Sequence, residues 1–329
     1  MSSTTVGKKK TALVLGASGY LGQHISLAFM EKNWEVIGWG TRHINDEILS
    51  ARGAFTYGTG DINDPDIQEE MVSGNPDAIV FCVSLTQTLS EKDVSAALQI
   101  NVASLWQILK LASLRLRKPV PFIYLSTVQV YGDLVGFVDE QYRVEPRNAY
   151  GLTHLMAEMA INMFKTSEII YPTVLRLSNG YGPPVTFQSS CWSLVVNDFC
   201  RTAFETKRIQ IMSDGAALRD FVFVTDVSRA IAEIAMRKQR KKLLNLVSGK
   251  SISLLDIALM VQGEYYRKFG ERIPITNSKG DEFKLLPESQ NRPKFVFDIR
   301  ERKESNIKIE TQLGEGIQET FRYLERQVK

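Results

Sequence analysis

The chain has 329 residues, of which 44% are hydrophobic and 23% charged. At roughly 100 to 200 residues per domain this allows two domains, or one large α/β unit with a smaller lobe. The composition excludes fibrous, low-complexity and disordered classes. Forty Lys and Arg against 37 Asp and Glu leave a net charge of +3, too small over this length to mark a nucleic-acid or membrane-surface partner.

Three cysteines, Cys82, Cys191 and Cys200, form no CxxC pair and no Cys/His cluster at zinc-ligand spacing, so no metal site is expected and a reducing, cytoplasmic compartment is. The N-terminus carries no apolar h-region and no run of about 18 apolar residues follows, which argues against secretion and membrane spanning.

In chain order, Thr11 to Leu15 is a short apolar run ending in glycine, followed by Leu21, Ile25, Ala28 and Phe29 at helical spacing. A second apolar run, Val36 to Trp39, closes a βαβ unit within about 30 residues, the length a parallel crossover needs. Ala78 to Val83 and Phe122 to Leu125 are continuously apolar, as strands covered on both faces are. Between them Val94, Leu98, Val102, Leu105, Leu109 and Ala112 predict one long amphipathic helix. A helix over Tyr150 to Phe164 and a strand over Thr173 to Leu177 complete the pattern. It describes an α/β fold with a Rossmann-like, doubly wound parallel sheet.

Beyond Asn179 the strands thin out and Gly182-Pro183-Pro184 punctuates the chain. The expected organisation is a dinucleotide-binding domain over 1–178 and a smaller C-terminal α/β substrate lobe over 179–329, with some segments returning to the main sheet. Leu243 to Val247 is one such strand, and Ser253 with Asp256 forms a capping box for the next helix. The basic run Arg237 to Lys242 is expected to be a solvated helix end.

Gly16-Ala17-Ser18-Gly19-Tyr20-Leu21-Gly22 is a GxxGxxG turn between a strand and a helix. Glycines there permit positive φ, let backbone approach a pyrophosphate and bring helix close to strand, while N–H groups at the helix start attract the anion. An acid at the end of the second strand would bind the adenosine ribose of NAD. Instead Thr41 is followed by Arg42, whose planar fork suits a 2′-phosphate. The expected cofactor is therefore NADP(H), with NAD(H) as the alternative and a solvated Arg42 as the competing reading. Asp61-Ile62 is placed to meet the adenine, although Asp61 also suits a turn.

Taken together these motifs resemble the extended short-chain dehydrogenases/reductases, the family of nucleotide-sugar epimerases, dehydratases and ketoreductases. The resemblance runs through the glycine turn, Asn101-Val102, Ser126-Thr127 with Val130-Tyr131-Gly132, Tyr150, and Arg176 with Asn179-Gly180-Tyr181-Gly182-Pro183. It continues through Arg219-Asp220-Phe221-Val222, Asn245 to Gly249 and Arg292-Pro293. It implies that Cys82, Val83, Ser84, Asn101, Ser126, Tyr150, His154 and Leu177 join the glycine turn in holding the cofactor. It also implies that Ser84, Thr127, Asn179, Arg219 and Arg292 bind a nucleotide-sugar substrate, and that the chain forms a homodimer through paired helices. Thr127 would orient the sugar oxygen and Tyr150 would exchange its proton, the acid/base step that hydride transfer at a carbinol or ketone requires.

One departure concerns the chemistry directly. The family pattern is Tyr-x-x-x-Lys, whereas here Tyr150-Gly151-Leu152-Thr153-His154 places an imidazole on the same helical face. Losing a fixed positive charge at about 5 Å with an effective dielectric near 20 forfeits roughly 3 kcal/mol, or about two pK units of tyrosine acidification. A protonated His154 would restore part of that field and make activity pH-dependent, and a neutral one can still hydrogen-bond a ribose hydroxyl. A tyrosine of undepressed pKa serves ketone reduction, where it is an acid, better than alcohol oxidation.

The family's dehydratases carry an Asp-Glu pair after the active-site Thr, but Val128 and Gln129 stand here, which disfavours dehydration. The expected activity is NADP-dependent reduction of a 4-keto nucleotide sugar. The alternatives are epimerisation through a transient ketone and, in another class, a catalytically impaired dinucleotide-binding module.

Overall fold

The computed structural model describes residues 9–44, 47–237, 241–284 and 294–328. By contacts the chain divides into two units. One comprises the described residues up to Ser126, Asn148–Leu175 and those of Ile231–Lys242; the other comprises Thr127–Arg147, Arg176–Ala230 and the described residues from Leu243 onward. The expectation was a boundary after residue 178 with some later segments returning to the main sheet; the division by contacts is interleaved. The segment after the fifth strand goes with the second unit, and the second half of helix Val224–Met236 goes with the first.

A seven-stranded parallel sheet has the order Leu243–Leu246, Ile170–Leu177, Val120–Thr127, Ala78–Phe81, Thr11–Leu15, Glu35–Gly40, Phe55–Thr59. Leu243–Leu246 joins the main sheet, as expected, and takes an edge position. The register sets Val14 opposite Gly38 on one side and Val80 on the other. All four residues of Ala78–Phe81 and all eight of Val120–Thr127 are buried, which explains why these strands read as unbroken apolar runs. From Thr11–Leu15 the chain winds outward through two strands, then resumes on the other side at Ala78–Phe81. That reversal opens a crevice at the carboxyl ends of these strands.

The helix predicted from Val94 to Ala112 is not continuous. It runs as Val94–Leu98, a π-helical turn Gln99–Ala103, and Ser104–Arg115. A π-turn inserts one residue without breaking the apolar stripe, so hydrophobic spacing alone does not reveal it. Helix Ala149–Asn162 begins one residue before Tyr150.

In the second unit Leu218–Phe223 pairs antiparallel with Ser251–Ser253 and parallel with Asn179–Tyr181. Helices Val195–Thr206, Leu254–Phe269 and Leu313–Val328 meet through aromatic contacts, among them Tyr265–Phe321 at 5.7 Å and Phe204–Phe269 at 5.9 Å between ring centroids. Ser253 caps its helix through Asp256 N at 3.0 Å, but the Asp256 carboxylate accepts from the Ser253 hydroxyl at 2.6 Å. Only the Ser253 half of the expected capping box has its usual form. Among the described residues no helix is long and apolar enough to cross a membrane, and no group of three or more His, Cys, Asp or Glu could hold a metal ion.

Candidate active site

The first glycine turn has the geometry that its composition implied. Gly16 has φ +93°, and a Cβ there would lie 3.0 Å from the Cys82 carbonyl oxygen. Its N–H and that of Ala17 both donate to the Trp39 carbonyl, at 2.8 and 2.9 Å, tying the turn to the end of the second strand. Gly19 occupies the N-cap of helix Tyr20–Glu31 and provides no side-chain cap. The first-turn amides, Tyr20, Leu21 and Gly22 among them, thus define a positive helix end facing the turn. A Cβ on Gly22 would sit 2.1 Å from the Gly16 carbonyl oxygen, so glycine is what allows the helix to approach the strand.

A cleft opens here, lined by Gly16, Ser18, Gly19, Thr41, Arg42, Ile62, Cys82, Val83 and Ser84, and also by Trp39, Gly40, Gly60 and Met71. Asp61 is not among the lining residues. It is exposed and closes an Asx turn, its Oδ1 accepting from Asn63 N at 2.9 Å and Asn63 Nδ2 at 3.1 Å. Arg42 is held at the cleft by its Nη2, which donates to the Ser18 carbonyl at 3.2 Å, while the Tyr57 hydroxyl donates to the Arg42 carbonyl at 2.6 Å. Gly40 ends the second strand, where a ribose-binding acid would stand. A Cβ there would come within 2.3 Å of Ser18 Oγ and 2.7 Å of Tyr57 Oη, so a side chain at this position would require those two hydroxyls to move. A glycine cradle and a helix N-terminus together suit a dinucleotide diphosphate.

The three cysteines are not nucleophiles. Cys82 Sγ donates to the Leu15 carbonyl at 2.9 Å, and burial pushes its thiol up to about 12. Burial likewise moves Cys191 to about 11 and raises Cys200.

A second cluster surrounds Tyr150. Asn148 caps helix Ala149–Asn162 through Gly151 N at 2.7 Å, and Glu91 Oε1 accepts from Ala149 N at 2.7 Å, so Tyr150 is fixed in the first turn. One turn later the His154 ring meets the Tyr150 ring edge-on, 4.5 Å between centroids. His154 is only 1% exposed. Its Nε2 lies 3.1 Å from Ser84 Oγ and its Nδ1 2.7 Å from Tyr124 Oη. Asn101, carried on the π-turn, accepts from Leu85 N at 2.9 Å and donates to Thr153 Oγ1 at 3.0 Å; Thr153 Oγ1 in turn donates to the Tyr150 carbonyl at 3.1 Å. Asn101 therefore ties the Ser84 segment to the Tyr150 helix. Ser126 Oγ donates to Glu158 Oε1 at 2.5 Å.

Burial drives His154 down to about 3, so at neutral pH the imidazole is uncharged. Of the two states considered for His154, burial favours the neutral one over the protonated one, because a cation in this pocket would lose its hydration. Burial also pushes Tyr150 up to about 12, against the neighbouring Ser84 side chain, which pulls it down. Tyr124 is raised further above its ordinary value, by burial first and by the nearby Tyr150 and Glu158 second.

The remaining expected residues belong to the second unit. Thr127 is buried at the end of its strand, where Oγ1 accepts from Gln129 N at 3.2 Å. Leu177 is a buried strand-end residue. Asn179 Nδ2 donates to the Asp220 carbonyl at 2.9 Å, and exposed Arg219 donates from Nη1 to the Leu218 carbonyl at 2.7 Å. Arg292 lies outside the described residues. Tyr124 and Glu158 were not anticipated. Alternation along the strand places Tyr124 and Ser126 on one face, and Glu158 follows His154 by one helical turn, so spacing contained the signal.

Comparison with known proteins agrees with this architecture. The sequence profile of the NAD dependent epimerase/dehydratase family matches residues 12–246, and the chain belongs to that family. It is 35% identical over 126 residues to the dTDP-L-rhamnose 4-epimerase of Burkholderia thailandensis, a match covering 37% of this chain and 34% of that protein. It is 24% identical over 322 residues to a putative UDP-glucose 4-epimerase of Methanocaldococcus jannaschii, covering 95% and 97% of the two chains. In three dimensions it is similar to the UDP-glucuronic acid 4-epimerase of Bacillus cereus solved in complex with NAD, with TM-score 0.78, 20% identity, and 96% of each chain covered.

Proposed function

We propose that the protein is an NADP(H)-dependent oxidoreductase that reduces a nucleotide-activated 4-keto sugar. The observation that carries this reading is the pairing of a Tyr150 raised to about 12 with a neutral, buried His154. A phenol in that state holds its proton at neutral pH and is poised to give it to a carbonyl oxygen as the carbinol forms. It is a poor base for the reverse step.

A nicotinamide cofactor, when bound, supplies the hydride. Tyr150 donates the proton, Ser84 and His154 support the phenol, and Thr127 orients the sugar oxygen. Asn179, Arg219 and Arg292 are the proposed contacts to the nucleotide portion, a task that suits guanidinium forks. The proposed preference for the phosphorylated dinucleotide rests on Arg42 beside Ser18 and on Gly40 at the strand end, where an acid would favour NAD(H).

Epimerisation through a transient ketone is the second reading. It is favoured by the names of the three similar proteins, all 4-epimerases by their descriptions, and by the NAD in the Bacillus cereus structure. One experiment separates the readings. The protein is incubated with NADPH or NADH and a panel of 4-keto and 4-hydroxy nucleotide sugars, and reduced cofactor and sugar stereochemistry are both followed. The expected result is one NADPH oxidised per 4-keto sugar, with NADH slower. Exchange of 4-epimers without net cofactor oxidation would install the epimerase instead. Dinucleotide binding with neither outcome would make this a binding module.

A further inference from the structure

Tyr124 belongs to no part of the machinery above, yet its hydroxyl makes the shortest contact to the residue that stands where the family has lysine. We infer that Tyr124 is a positioning residue, which locks His154 as the neutral Nε2–H tautomer and, through Ser84, directs a hydrogen bond onto the Tyr150 oxygen as that oxygen loses its proton.

Ser84 Oγ has one hydrogen, and the Leu85 carbonyl at 2.8 Å is its nearer acceptor, ahead of His154 Nε2 at 3.1 Å. With that hydrogen assigned to Leu85, Ser84 accepts from His154 and Nε2 carries the hydrogen. A neutral imidazole has only one N–H, so Nδ1 is bare, and at 2.7 Å from Tyr124 Oη it must accept the tyrosyl hydrogen. Asn101 holds the backbone of Leu85 by its N–H at 2.9 Å, which fixes the carbonyl on which the Ser84 hydrogen rests.

As Tyr150 gives up its proton, its oxygen becomes a much better acceptor than a peptide carbonyl. The Ser84 hydroxyl can then rotate from Leu85 to Tyr150 while Nε2–H continues to donate to it. No proton is lost from the chain and none is gained; one hydroxyl rotates. Polarised in series, Tyr124, His154 and Ser84 thus support the tyrosinate without a formal charge, where the family pattern uses a cation. The opposite tautomer would leave Ser84 donating to Nε2 and unable to turn. The titratable groups facing the imidazole are Tyr124 from the strand and Tyr150 from its own helix; Glu158, one turn further on, bears on Tyr124.

The inference rests on Tyr150 being the proton donor, but its first test does not require turnover. The chain has three histidines, so nitrogen-15 spectra of the full protein resolve them readily, with a His154→Gln variant assigning the signal. The expected His154 signature is a protonated Nε2 and an unprotonated Nδ1 that does not titrate from pH 5 to pH 9. A protonated Nδ1, or titration in that range, overturns the inference whether or not the protein turns over.

The second test is Tyr124→Phe. It should lower kcat by about tenfold, the rate equivalent of one net hydrogen bond, leave KM for cofactor and sugar unchanged, and move the alkaline limb of the kcat profile to higher pH, because the tyrosinate loses a supported donor. A loss of activity with an unmoved limb would reduce Tyr124 to packing. Should Tyr124→Phe not fold, Ser84→Ala carries the same expectation for the limb, and an unmoved limb there overturns the inference as well. Absence of any reductase activity in the unsubstituted protein would remove the functional reading while leaving the tautomer result to stand or fall by itself.

Discussion

His154 is a neutral residue at every physiological pH, and this has consequences for both rate and stability. Its folded pKa of about 3 lies below the model-peptide value of 6.5. The unfolded chain therefore binds a proton at His154 that the folded chain does not, and stability rises with pH where that difference exists. The stabilisation is fully present above about pH 6.5 and is lost as pH falls toward about 3. His154→Gln, which cannot titrate, should flatten the acid side of the denaturant-midpoint profile between those limits. An unchanged slope would mean that His154 protonates readily in the folded protein. The same neutrality predicts that kcat shows no limb near pH 6.5, in contrast to what a protonated imidazole would give.

Single residues were legible in the sequence when their role depended on type and spacing. Gly16, Gly19, Gly22, Arg42, Tyr150 and His154 were identifiable this way, and the structure places the glycine turn and Arg42 at one cleft and Tyr150 against His154. Roles that depend on environment were not legible. The charge state of His154 follows from burial, and Asp61 serves an Asx turn instead of the cleft, because a short polar side chain after a strand satisfies either role.

At the scale of elements, hydrophobic periodicity located the strands and helices of the main sheet, since burial on both faces or along one stripe imposes a pattern on the chain. It missed the π-turn at Gln99–Ala103, the feature that delivers Asn101 to both Leu85 and Thr153. The helix Tyr20–Glu31 shows the other limit. Its approach to the first strand depends on one absent methyl. In Gly22→Ala the Cβ would face the Gly16 carbonyl oxygen at 2.1 Å and Ala17 Cα at 2.8 Å, both backbone, so the helix start or the turn must shift. Overpacking of this kind costs about 1–3 kcal/mol. The expected result is a lowered thermal midpoint together with weakened dinucleotide binding by calorimetry. Weakened stability with unaltered affinity would show that the strain is absorbed away from the turn.

For the whole molecule, the family profile spans residues 12–246, which is why class could be read from sequence while the assembly could not. The proposed homodimer has a definite surface to use. Leu152, Met156, Met159 and Met163 are exposed, the last two at 65% and 70%, and their spacing of four, three and four puts them in one stripe on and just beyond helix Ala149–Asn162. Beside it Trp106, 40% exposed, packs edge-on against Phe164 at 5.4 Å and lines a shallow apolar groove with Leu98, Val102 and Ala103. An apolar stripe this continuous is unusual on a monomer's surface and suits a copy of the same two helices brought together by a two-fold axis. In such an arrangement Met159 meets its symmetry mate's stripe, and a charge there would be desolvated without a partner. Met159→Glu should therefore convert a dimer to a monomer by light scattering while leaving the circular dichroism spectrum intact. A monomeric unsubstituted chain, or a dimer indifferent to the substitution, would remove this face from the assembly.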